Sequence, residues 1–222
     1  GSERGRLTRS QSLHHAIRYR ALMPPVIPDP RRIKSFKAEA PFEKWLAAHH
    51  DKEPEIWLKI HKKASGLASI TAEQALDVCL CYGWIDAIRK SFDERSFLQR
   101  YTPRGKKSRW SQVNQGKVAR LIDLGRMTPH GQRQIDAAKA DGRWDAAYAP
   151  MRTASHASVP ADLIAALEAS PRAKKTFFTL DKTNLFAITF RIQAMKTAAG
   201  RERKIASMVE TLARGEPIVA PR

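Results

Sequence analysis

The residues with the most chemistry to offer lie between Trp84 and Asn114, in WIDAIRKSFDERSFLQRYTPRGKKSRWSQVN. Arg100, Arg104 and Arg109 carry planar guanidinium forks suited to phosphate or carboxylate. Thr102, Ser108, Ser111 and Asn114 add short hydrogen-bonding groups, and Trp84 and Trp110 offer apolar walls. The loop runs into a helix capped by Ser108 or Ser111, and the free N–H groups of a helix start attract negative charge. This grouping predicts an anion site. The competing reading makes the cations a solvated face, Ser111 a simple cap and Trp110 a core residue. Asp86 sits in a strand between Trp84 and Ile88, where a carboxylate is costly to bury unpaired. It is expected to meet an arginine, Arg100 first, either as a structural ion pair or as a group that orients the loop.

Other constellations are weaker. Phe92, Phe97 and Tyr101 lie among the same cations, as a single-strand stacking platform for nucleic acid would require, but aromatic residues in a hairpin more often form core. His49, His50, Asp51 and His61 lack the spacing of a metal site, so no metal is expected. Cys79 and Cys81 diverge on a helix and are expected to be free, inert thiols. No glycine-rich phosphate loop, serine elbow or dinucleotide fingerprint occurs. No cofactor or catalytic residue is therefore assigned, and binding is favoured over catalysis.

The elements that must position these groups follow from periodicity. EIWLKIHKK alternates with period two, Trp84 to Arg89 does so again, and Phe97 to Thr102 answers it after a polar turn, giving a hairpin and a small antiparallel sheet of at least three strands. Helices are expected around Phe42 to His49, after Thr71 with its capping-box Gln74, after Ser111, after Thr128-Pro129, and at three places beyond Pro160. The class is α+β, a sheet packed with helices followed by an all-helical part. The expected division is a disordered or extended basic arm over 1–32, an α+β core with hairpin and basic loop over 33–147, and a helical subdomain over 159–216. Gly1-Ser2 reads as a cloning scar, and residues 1–22 as a tag remnant or upstream extension.

Charge narrows the partners. The chain of 222 residues carries a formal +18. Residues 1–37 hold nine cations against two acids and residues 89–126 eleven against three, so the basicity is concentrated in two stretches. Such patches favour anionic small molecules, nucleic acid or membrane-surface partners. No apolar run is long enough to span a bilayer, so an integral membrane protein is not expected, and a cytoplasmic setting is. The basic, amphipathic tail KTAAGRERKIASMVETLARG is a candidate dock for a membrane-associated protein, unless its stripe packs on the preceding helix.

EQALDVCLCYGWIDAIRKSFDERSFLQRYTPRGKKSRWSQVN resembles the signature region of the bacterial bacteriocin-protection family, also called YdeI/OmpD-associated. PADLIAALEASPRAKKTFFTL and AMKTAAGRERKIASMVETLARGE are similar to its helical tail, the resemblance running from about Ile33 to Glu216. The chain departs from the family where Phe190 or Arg191 replaces a tryptophan and Gly200-Arg201 replaces Thr-Arg. The resemblance implies a stress-tolerance role against bacteriocins and antimicrobial peptides. It implies no reaction and no catalytic residue.

Overall fold

The computed structural model describes residues 26–220. The stretch 1–25, with its share of the basic arm, lies outside the described residues. Within 26–32 the chain forms a 3-10 turn, Pro30–Arg32, whose preceding Asp29 accepts from the Arg31 amide at 3.0 Å.

Four strands make one sheet: β1 (Ile33–Lys34), β2 (Ile56–His61), β3 (Trp84–Ser91) and β4 (Ser96–Pro103), in the order β1-β2-β4-β3. The hairpin and its antiparallel pairing with β2 are as the alternation predicts. The sheet is mixed, not purely antiparallel, because β1 adds to β2 in parallel, Ile33 beside Trp57. Two residues have no readable period, so only the pairing reveals that strand.

Helix α1 (Glu39–His49) and helix α2 (Ala72–Cys81) cover one face of the sheet. There Phe42, Leu46, Ile56, Leu58, Val78, Trp84 and Tyr101 form a buried core. The expected capping box is present: Thr71 Oγ1 accepts from the Gln74 amide, and Gln74 Oε1 accepts from the Thr71 amide. Trp57, on the other face of β2, is also buried, so that strand is covered on both sides at this point.

Helices α3 (Gln112–Asp123) and α4 (Pro129–Ala140) build a second core with the outer side of α2, from Leu80, Trp110, Val118, Leu121 and Ile135. Asp77 of α2 is the electrostatic fastening, paired with Lys117 at 3.3 Å and with Arg120.

Beyond two 3-10 turns, Met151–Thr153 and His156–Ser158, come α5 (Ala161–Glu168), α6 (Pro171–Phe178), α7 (Lys182–Gln193) and α8 (Ala198–Ala213). They enclose their own core of Leu163, Phe177, Ile188, Ile192, Met208 and Leu212. The apolar stripe of α8 thus packs inward. Periodicity predicts three helices here, and α6 is the fourth. It is only eight residues long, and its signal was Ser170-Pro171, with proline at the first helical position.

Candidate functional site

The last turn of β4 delivers Arg104 into the interior, where it is only 6% exposed. Its backbone amide donates to Gly83 O at 3.0 Å, which ties the strand exit to the end of α2. The guanidinium lies over Trp110, its carbon 3.6 Å from the ring centroid, a cation held on the negative face of an indole. Nη1 donates to Arg109 O at 3.3 Å, while Nε and Nη2 are buried with no hydrogen-bond partner. Trp110 Nε1, also buried, has none either. One stacked pair therefore holds three unsatisfied donors, each costing on the order of 1–3 kcal/mol if left so. Burial lowers the Arg104 pKa to about 10, against the raising influence of Asp86 and Tyr148, so the group stays cationic at neutral pH.

The surrounding loop is built to hold this pair. Ser108 Oγ accepts from the Gly105 amide at 3.1 Å, and Ser108 O accepts from Arg143 Nη1 at 2.9 Å. Ser111 caps α3, accepting from the Asn114 amide at 3.1 Å. Between the two serines, Arg109 turns toward the C-terminal helices. Its guanidinium lies 4.1 Å from the Phe190 ring centroid and 5.3 Å from that of Tyr148, and Nη1 donates to Phe190 O at 3.1 Å. Lys106 and Lys107 are exposed at the tip.

The residues singled out by composition thus divide. Arg104, Arg109, Trp110, Ser108, Ser111 and Asn114 come together around the loop. Arg100 does not: it is on the far face of the sheet, its Nε 2.6 Å from Glu55 Oε2. Thr102 shares that strand face and lies half-buried opposite Ile85. Trp84 is 1% exposed in the sheet core, its Nε1 donating to His50 O at 3.0 Å, so it walls no open pocket.

The expected Asp86–Arg100 pair is not formed. Asp86 is in register with Tyr101, so it shares Tyr101's face, and Arg100, the next residue along, points the other way. Asp86 instead feels Arg104 and Arg89, both of which favour its charged form. Desolvation is the larger influence and raises its carboxyl above the ordinary value. Four residues were missed by motif reasoning: Arg89 and Gln99, which lie with Asp86 on the hairpin and not at the loop, and Arg143 and Tyr148, which belong to the loop. A bulge between Asp86 and Arg89 explains the first two, since it carries Arg89 onto Asp86's face, where simple alternation puts it opposite.

His49, His50, Asp51 and His61 do not assemble into a metal site, and no group of three metal-ligating side chains occurs among the described residues. No helix among them is long and apolar enough to cross a membrane.

Fold and site define an α+β protein with a mixed four-stranded sheet, a four-helix C-terminal part, and a buried arginine–tryptophan stack in the loop after the hairpin. Residues 156–215, the C-terminal helices, match the family model described as bacteriocin-protection, YdeI or OmpD-associated. Residues 34–134, which hold the sheet and most of the loop's surroundings, match a domain of unknown function (DUF8412). No curated protein and no solved structure matches the chain.

Proposed function

We propose that this is a bacterial stress-tolerance protein that binds an anionic ligand, or the anionic group of a larger one, at the Arg104–Trp110 stack. The observation that carries the reading is the set of three buried, unpartnered donors on one cation–aromatic pair. An anion reaching these donors would accept from them and neutralise a buried guanidinium that has no carboxylate partner among the described residues. Arg109 is spoken for by Phe190 and serves to anchor the loop to the C-terminal helices. Lys106 and Lys107, exposed on the same loop, raise the local concentration of anions beside it. The family's link to bacteriocin protection is what the C-terminal match supports, and the ligand's role in it belongs to the proposal.

The experiment is a thermal-shift titration of the full chain with inorganic phosphate at constant ionic strength, repeated for Arg104→Lys and Trp110→Phe. Ligand that binds only the folded state raises Tm in proportion to the logarithm of its concentration once the site fills. Saturable stabilisation of the wild type, weakened about tenfold or more in both variants, is expected. Stabilisation equal to that by chloride, or unchanged in both variants, defeats the reading. Nucleic acid is the rival ligand for this surface. A steep fall of oligonucleotide affinity with log salt, with no saturation by phosphate, would identify a many-phosphate surface in place of a single-anion site.

A further inference from the structure

A second cleft lies beneath the β3 bulge, between the hairpin, the start of α2 and the middle of α3, with a volume of about 200 Å³. It is formed by chain elements distinct from the loop that holds the arginine–tryptophan stack. Its charged walls come in two kinds. Glu73 and Lys117 pair with each other at 2.8 Å, and Lys117 also pairs with Asp77, so they are already neutralised. Asp86 and Arg89 form no such close pair. Both line the cleft and both are exposed to it, yet they form no ion pair with each other among the described residues.

The reason is register. Asp86 stands opposite Tyr101 and Arg89 opposite Gln99, two places along β4, which sets their backbones about 7 Å apart on the same face. Gln99 then fixes the arrangement. It is 4% exposed, its Nε2 donates to Ala87 O at 3.2 Å and lies 3.4 Å from Ile88 O, both in the bulge, and its Oε1 accepts from Arg89 Nε at 2.9 Å. The Arg89 guanidinium rests 4.2 Å from the centroid of Phe97. So oriented, it keeps its two terminal nitrogens for another acceptor. A fixed guanidinium and a carboxylate, held apart on one wall with the apolar Leu76 and Tyr101 beside them, complement a molecule carrying the opposite charges at a similar spacing.

We propose that this cleft binds a small zwitterion of the α-amino acid type, with its ammonium against Asp86 and its carboxylate against Arg89. The size agrees, since pockets for drug-sized ligands run to roughly 300–1,000 Å³. A lone anion would meet Asp86 and a lone cation Arg89, and each would be repelled by the group of its own sign. Arg89 takes no part in the phosphate reading, and Asp86 is the group of this cleft that Arg104 also influences.

The test is ligand-observed NMR on the full chain with glycine, L-alanine and L-leucine as probes, and acetate and ethylamine as single-charge controls. Saturable binding of at least one zwitterion at millimolar concentration is expected, with neither control competing. Asp86→Asn and Arg89→Gln should each weaken it about tenfold or more, and Arg89→Gln should leave the phosphate response intact. Gln99→Glu, which keeps an acceptor for Arg89 but loses the amide donors to the bulge, should weaken it while the fold persists. Absence of binding by all three amino acids, equal competition by acetate, or undiminished binding in both charge variants overturns the proposal.

Discussion

Arg100 and Glu55 are joined across the sheet by a guanidinium–carboxylate contact of 2.6 Å, with side chains 28% and 15% exposed. Glu55 immediately precedes β2 and also accepts from Trp57 Nε1 at 3.2 Å, so the pair closes over the buried indole on the outer face of the sheet. The arginine that sequence pattern groups with the anion loop is therefore a clamp for β2 against β4. Arg100→Ala is expected to cost about 1–2 kcal/mol in denaturant unfolding, the range for a partly buried charged hydrogen bond. Its phosphate response should equal that of the wild type. Loss of that response with little loss of stability would return Arg100 to the ligand site.

That case shows where the sequence is legible and where it is not. Alternation between Trp84 and Thr102 reveals the hairpin, because period two is a local property. It does not reveal the bulge between Asp86 and Arg89, because a bulge is set by the partner strand and by Gln99, and beyond it every inferred face reverses. The capping box at Thr71 and the proline start at Thr128-Pro129 are local too, and both appear as expected. The strand Ile33–Lys34 exists only by virtue of its neighbour. The clustering of Arg104 and Trp110 was readable as composition. Their burial was not, since nothing in RGKKSRW says which of its cations turns inward.

Glycine packing offers a sharp test of the α2–α4 contact. A Cβ built on Gly131 would lie 2.4 Å from Cys81 O, 2.5 Å from the Met127 sulfur and 2.7 Å from Leu80 O, two of them backbone atoms that cannot move aside cheaply. Gly116, inside α3, has nothing within 4 Å. Gly131→Ala should destabilise by about 2–4 kcal/mol through overpacking. Gly116→Ala should stabilise by about 0.5–1 kcal/mol, the helix-propensity difference. Chemical denaturation of the two variants side by side checks both signs.

In the hairpin turn, Asp93 accepts from Ser96 Oγ at 2.7 Å and from the Arg95 amide at 2.9 Å, and pairs with Lys59 at 3.2 Å. The Ser96 hydrogen bond foremost, then Lys59 and the Arg95 amide, hold its pKa down to about 2. A carboxylate lowered in the folded state adds stability that is fully present above its ordinary pKa near 4 and is lost as pH falls toward the folded value. The carboxyl carbon resonance of Asp93 should therefore titrate near pH 2. Asp93→Asn should flatten the stability profile between about pH 4 and pH 2 while changing its shape little at neutral pH. A midpoint near 4 in the folded protein would show that the turn does not hold the carboxylate.

Cys79 and Cys81 are both free and buried on α2, one facing the sheet core and the other the core shared with α3 and α4. Burial raises the Cys81 pKa to about 11, opposed by Arg126 and reinforced by Glu43, Asp77 and Glu39, and it pushes Cys79 well above the ordinary thiol value. Since only the thiolate attacks a disulfide reagent, two effects suppress reaction together: few thiolates form at pH 8, and none is reachable until the structure opens. Labelling by an aromatic disulfide should be negligible in the native protein and should yield two equivalents on denaturation. The native rate should follow the opening of α2, so that Gly131→Ala, which wedges α4 away from Cys81 O, accelerates Cys81 more than Cys79. Rapid native labelling of either thiol in the unmodified protein would mean that α2 is not the sealed centre of the two cores.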